Sequence, residues 1–183
     1  MKFERLDIED VILVKPDVFK DNRGYFYESY NQRKIDEGLG QSVNFTQDNL
    51  SYNDKRNTIR GVHYQSTYPQ SKLVSCIKGA ILDVAVDVRE NSKTFGMWVV
   101  TELSSDNHHK LWVPQGFAHG FRTLTDDCIV TYKLDNFYHH DLRRGFMWND
   151  PAVNIDWKLL DGEEVILSDQ DKSYKSFDQL EKL

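Results

Sequence analysis

The chain has 183 residues, enough for one domain to bury a full core without disulfide or metal staples. Its formal charge of −6 and pI near 5.5 exclude nucleic acid or an anionic membrane as the principal partner, though one basic cleft for a small anion remains compatible with them. Residues Met1 to Asp10 are charged and lack an apolar run, and no stretch approaches membrane-span length, which predicts a cytoplasmic protein without a membrane partner.

Strand signals dominate from the N-terminus onward. Ile12-Leu13-Val14 and Tyr25-Phe26-Tyr27 flank a turn, Asp21-Asn22-Arg23-Gly24, of the Asn/Asp/Gly type. The polar segment from Asn31 to Gly38 has room for one short helix. Lys72 to Lys78 predicts a strand that runs into Gly79, and Ala80 to Val88 resumes extended structure. There the alternation Asp83-Val84-Ala85-Val86-Asp87 predicts one polar and one apolar face. Met97 to Thr101, Lys110 to Val113 and Ile129 to Tyr132 add further strands. Asp150-Pro151 and Asp156-Trp157 predict irregular loops, and Tyr174 to Leu183 a short final helix. Many short strands between turn clusters indicate an all-β sandwich, jelly roll or barrel, and the absence of any linker or repeat indicates a single domain over residues 1–183.

Cys76 and Cys128 each sit in an apolar run and outside any CxxC spacing, so they read as core thiols of a reduced protein. The pairs His108-His109 and His139-His140 cannot chelate as units on a strand, where neighbours point to opposite faces, and are expected to be solvent-exposed.

Chemistry concentrates in Arg60-Gly61-Val62-His63-Tyr64-Gln65 and the following Lys72. A histidine that titrates near neutrality can take a proton, arginine matches phosphate geometry, and lysine can stabilise an oxyanion. Together they suggest proton abstraction next to a carbonyl of a phosphorylated substrate. A lone strand histidine is otherwise most simply a satisfied structural residue. The segment Val113 to Phe121, with Pro114, Gly116 and His119, resembles the second half-motif of the cupin superfamily. Its metal-binding members also need a His-x-His pair and an acid in the first half-motif. Here that stretch offers only His63, with Gln65 two residues on, so no metal is expected.

A narrower resemblance covers about Lys15 to Asp171. Arg60 to Gln65, Gln70 to Val74, Gly79 to Asp87 and Pro114 to Phe121 resemble the dTDP-4-dehydrorhamnose 3,5-epimerase family, as do Phe45 to Asn49, Tyr132-Lys133 with Tyr138, Trp148 to Pro151 and Ile155 to Trp157. The resemblance implies a cupin-type jelly roll with a few short peripheral helices, no cofactor, a homodimer with a sheet extended across its interface, and a place in dTDP-L-rhamnose biosynthesis for cell-surface polysaccharide. The implied substrate is a dTDP-4-keto-6-deoxy sugar, whose C4 carbonyl acidifies the protons on C3 and C5. By position, His63 is the base, Lys72 steadies the enolate oxygen and contacts substrate, and Tyr132 returns a proton from the other side. Asp171 would pair with His63 and raise its basicity, with Asp169 the competing choice. Arg23 and Arg60 would meet the diphosphate, Glu28, Gln47, Asp48 and Asn49 the sugar and nucleotide, His119 the sugar pocket and Tyr138 the thymine ring.

Two departures stand at the nucleotide side. Gln170 occupies a position where the family usually carries lysine, and Arg143-Arg144 a region where many members carry glutamate. Either arginine supplies an anion contact or is simply solvated. Gln65 argues against a ketoisomerase, which uses a second histidine there. Epimerisation at C3 or C5 alone, a non-catalytic sugar-binding cupin and a metal-dependent cupin oxygenase are the competing readings.

Overall fold

The computed structural model describes residues 1–180, which form thirteen strands and two short α-helices. In chain order they are β1 (Lys2–Arg5), β2 (Ile12–Lys15), β3 (Val18–Asp21), β4 (Gly24–Tyr27), α1 (Gln32–Leu39), β5 (Gln47–Asn53), β6 (Ile59–Gln65), β7 (Lys72–Lys78) and β8 (Ala80–Asp87). There follow β9 (Trp98–Ser104), β10 (Lys110–Val113), β11 (Phe117–Thr123), β12 (Cys128–Leu134), β13 (Arg143–Gly145) and α2 (Asp169–Lys172). Two antiparallel sheets carry the fold, one of six strands in the order β1-β2-β10-β7-β12-β5 and one of five in the order β13-β6-β11-β8-β9. This is the all-β jelly-roll architecture, with β3 and β4 as a separate hairpin.

Period-two burial explains the layering. Leu13, Val74, Leu111 and Val130 face inward from the six-stranded sheet and meet Ile81, Ala85, Phe117 and Phe121 from the other. Val62, Val84 and Val86 project from the opposite face of the five-stranded sheet, where the irregular C-terminal segment covers them with Val153, Ile155 and Trp157. Ile12, Val14, Leu73 and Trp112 on the outside of the six-stranded sheet receive Ile35 and Leu39 of α1. The Asn31 side chain caps the start of α1 by accepting from the Lys34 amide, and Gly40, at φ 71°, ends it.

Two local expectations change, at the paired histidines and at the final helix. The Asp83–Asp87 alternation holds, with its polar face as buried as the apolar one: both acids are fully buried. Its acidic side looks inward, where Asp83 meets His119 and Asp87 accepts from Arg89, Ser92 and Thr94, while the C-terminal segment seals the other side. His108 is buried rather than exposed, packed against the rings of Tyr25 and Tyr27, and His109 is partly buried; His139 and His140 are exposed. The final helix reduces to a single 3-10 turn at Phe177–Gln179, and the rest of that expectation, residues 181–183, lies outside the described residues. Cys76 and Cys128 are free and buried. No helix among the described residues is long and apolar enough to cross a membrane.

Candidate active site

A cleft of about 630 Å³ opens between the sheets at the β5–β12 and β6–β13 edges, large enough for a drug-sized or nucleotide-sized ligand. Its five-stranded wall depends on an irregularity. In a regular strand, positions 60 and 63 point to opposite faces. Between them β6 carries one more residue than β11, since Arg60 pairs with Phe121 and His63 with His119. This bulge turns both Arg60 and His63 into the cleft while Ile59, Val62 and Tyr64 stay in the outer core. Gly61 makes it sterically feasible: its φ is +106°, and a Cβ there would lie 2.6 Å from the His119 carbonyl oxygen. On β13, Gly145 pairs with His63 and Arg143 with Gln65, which brings Arg143 into the same wall.

The six-stranded wall needs no such device. Tyr132 pairs with Val74 on one side and Asn49 on the other, and Leu134 pairs with Lys72 and Gln47. Alternation therefore aims Gln47, Asn49, Lys72 and Tyr132 inward, and all four line the cleft. Arg60 reaches across to this wall, donating from Nε to Asn53 Oδ1 (2.6 Å) and from Nη2 to the Tyr52 carbonyl (3.2 Å). α2 supplies Asp171 to the rim, its amide donating to the Ser168 hydroxyl that caps the helix. Tyr138 stands at the mouth, 44% exposed, its amide held by Gln47 Oε1. Gln65 positions that loop, donating to the Tyr68 and Phe137 carbonyls and accepting from the His139 amide.

Burial and charge set the protonation states. Desolvation, then the positive charges of Arg143 and Lys72 and the nearby His119, push the His63 imidazole well below its ordinary range. Neutral at physiological pH, it can accept a proton. Lys72, 6% exposed, is lowered to about 8, chiefly by burial; Arg143 adds to the shift and Asp83 opposes it. On the cleft floor, His119 Nε2 lies 2.8 Å from Asp83 Oδ1, with both residues buried.

Sequence reasoning placed His63, Lys72, Tyr132, Asp171, Gln47, Asn49, Arg60, His119 and Tyr138 together, and all line this one cleft. Three assigned binding residues do not. Asp48 follows the outward phase of β5 and takes Lys133 Nζ (2.9 Å). Arg23, on the β3–β4 turn with its side chain 85% exposed, pairs with Asp21, and Glu28 pairs with Lys34. Asp169 is fully exposed and faces Lys172, so Asp171 is the acid at the cleft. Its Oδ1 accepts from Arg143 Nη2 (3.0 Å), a partner that the expected His63 pairing did not include. Asp83 and Arg143 join the site as residues that the sequence reading did not assign. The pairing of Ala85 with His119 puts Asp83, two residues away, on the same side of β8, and that spacing was the available signal for the first. Among the described residues no three His, Cys, Asp or Glu side chains are grouped to hold a metal ion.

Comparison with known proteins agrees with this geometry. Residues 5–179 match the sequence model described as dTDP-4-dehydrorhamnose 3,5-epimerase. The chain is 47% identical to the Escherichia coli K12 protein of that name, over 100% of this chain and 98% of that one. It is also 47% identical to the Pseudomonas aeruginosa protein, over 97% and 96%. A crystal structure of the Legionella pneumophila dTDP-6-deoxy-D-glucose-3,5-epimerase in complex with dTDP-4-keto-L-rhamnose superposes with a TM-score of 0.93 at 39% identity, covering 97% of this chain and 93% of that one. With the jelly roll, the cleft and its histidine, lysine and tyrosine already in place, the chain belongs to the dTDP-4-dehydrorhamnose 3,5-epimerase family.

Proposed function

We infer that this chain is a dTDP-4-dehydrorhamnose 3,5-epimerase, an isomerase that converts dTDP-4-keto-6-deoxy-D-glucose to dTDP-4-keto-L-rhamnose. The observation that carries this reading is that His63 and Tyr132 belong to opposite sheets yet open on one cleft, with Lys72 in the same cleft. Inverting a carbon next to a carbonyl requires a base on one face of the sugar and an acid on the other. In this mechanism neutral His63 takes the proton from C5, the electron pair of the broken C–H bond moves into the C4 carbonyl, and the Lys72 ammonium stabilises the enolate oxygen. Tyr132 then protonates the carbon from the opposite face, and the cycle repeats at C3. Asp171 stabilises the imidazolium that forms. Arg60, Gln47, Asn49, His119 and Tyr138 orient the nucleotide and sugar.

Two further readings belong to this proposal. The protein acts as a homodimer in the cytoplasm. The hairpin β3–β4 supports the first: it stands apart from both sheets and leaves Phe19 66% and Phe26 72% exposed. A second copy covering it would bring Arg23 and Glu28 to a ligand that they do not meet within their own chain. Free buried cysteines support the reducing compartment.

The experiment is incubation with dTDP-4-keto-6-deoxyglucose in deuterium oxide, followed by NMR and coupling to a 4-reductase. Deuterium at C3 and C5 is the expected result. Label at one carbon would convert the assignment to a mono-epimerase, and binding without exchange would reduce the protein to a sugar-binding cupin.

A further inference from the structure

Among the described residues the buried lysines and arginines are Lys72, Lys110 and Arg122. Two of them have an acid to answer their charge. Asp83 favours the charged form of Lys72, and Arg122 donates to Glu163 Oε2 (3.1 Å). Lys110 has none. Its amine donates to the Ser75 hydroxyl (2.7 Å), and among the described residues no carboxylate lies within ion-pairing distance of it. An ammonium has three N–H donors, so one hydroxyl leaves most of its capacity unused. A buried cation without a counter-charge is unfavourable, and the amine responds: burial first, and then the charge of Lys133, push it down to about 8.

Strand alternation decides where this amine looks. On β10, Leu111 and Val113 enter the core between the sheets, whereas Lys110 and Trp112 take the outer face of the six-stranded sheet. There Lys110 lines a cavity of about 370 Å³, roofed by Tyr27, Ser29 and Tyr30 as the chain leaves β4. Leu73 and Ile77 give it an apolar wall. The cavity's other lysine, Lys133, is already answered by Asp48 (2.9 Å) and lies 4.8 Å from the centre of the Tyr30 ring. The cavity therefore holds one uncompensated positive charge, and Asp48 within it disfavours a dianion. A single negative charge on a small apolar body matches both conditions. We propose that this cavity binds a small organic monocarboxylate, whose oxygens accept from Lys110 Nζ while its body rests against Leu73 and Ile77. The site lies on the opposite side of the sheet from the catalytic cleft, although Asn49, Leu50 and Tyr132 border both cavities. It goes beyond the epimerase reading and does not depend on it.

The test is calorimetric titration of the full chain with benzoate, run in buffers of different ionisation enthalpy. A carboxylate binds the ammonium form, so wild-type protein near pH 8 should take up protons on binding, and affinity should fall as pH rises further. Lys110→Met fills a similar volume without charge. It should weaken benzoate by about tenfold or more, the range expected for losing charge-assisted hydrogen bonds, and abolish the proton uptake. The wild-type proton uptake decides the matter if that variant is unstable. No benzoate binding to the wild type, binding without proton uptake, or full affinity in Lys110→Met would each overturn the proposal. So would affinity lost in Arg60→Gln instead, which would place the benzoate in the catalytic cleft. A wild type that ignores benzoate, together with a sedimentation shift in Lys110→Met, would give the counter-charge to a carboxylate of a second copy.

Discussion

His119 and Asp83 form a buried imidazole–carboxylate pair at 2.8 Å on the cleft floor, and the second oxygen of Asp83 has no hydrogen-bond partner among the described residues. An under-satisfied buried carboxylate is costly, and this one also favours the charged form of Lys72. Asp83→Asn keeps a group able to bond His119 but removes the charge. Lys72 should then lose its proton more easily, and the alkaline limb of kcat/KM should move to lower pH. A profile that keeps its shape while activity drops would mean Asp83 only shapes the floor.

The wild-type pH profile follows from two displaced groups. With His63 as the proposed base, catalysis needs a neutral imidazole, so activity should rise as pH passes upward through its pKa, which burial and neighbouring cations hold below the ordinary imidazole value. With Lys72 as the proposed partner of the enolate oxygen it needs the ammonium, so activity should fall as pH passes upward through about 8. The kcat/KM curve should be a bell with its acid limb below the usual histidine range and its basic limb near 8.

Removing the base should separate binding from chemistry. His63→Ala is expected to lower proton exchange at both C3 and C5 by about 10²–10⁴-fold, the usual weight of a general base, with dTDP affinity nearly unchanged. Tyr132→Phe should still wash deuterium into the substrate yet fail to complete inversion at C5. Normal product from that variant would remove Tyr132 from its role as the acid.

Gly61→Ala tests the bulge. Positive φ costs a non-glycine residue on the order of 1–3 kcal/mol, and the new methyl would press on the His119 carbonyl and the Gly120 Cα (2.7 Å). A clear fall in the urea midpoint is expected, together with loss of activity under conditions where the variant is still folded.

Assembly makes its own prediction. If the β3–β4 hairpin serves a second copy, Phe26→Asp should shift sedimentation toward the monomer, and Arg23→Ala should weaken dTDP binding although Arg23 lies outside its own chain's cleft. Unchanged dTDP affinity in Arg23→Ala would confine that arginine to the surface.

Much of the site was legible through the resemblance, which named Gln47, Asn49 and Tyr132 by position; alternation along β5 and β12 is what turns them into the cleft. The polar stretch from Asn31 had room for α1, and the Asn31 cap shows where it starts. What escaped reading was whatever depends on a third element. His108 looked exposed until Tyr25 and Tyr27 folded over it, and the polar face of β8 gave no sign of the partners, His119 and Arg89, that take up its acids. Arg143 was visible as a departure, but its contacts with Gln170 and Asp171 were not.

The extra residue in β6 gives the active site something like a reading frame. From Ile59 to His63 the strand changes phase once, and everything downstream to Gln65 depends on that count. A one-residue deletion between Arg60 and His63 would remove the bulge yet keep both residues on the cleft face, because regular alternation then joins them. Straightening the strand at its present length would exchange the two faces downstream, turning the imidazole toward Trp157 and Ile155 and a core valine or tyrosine into the cleft. In this region of the chain, residue count and bulge have to change together to keep the imidazole in the cleft.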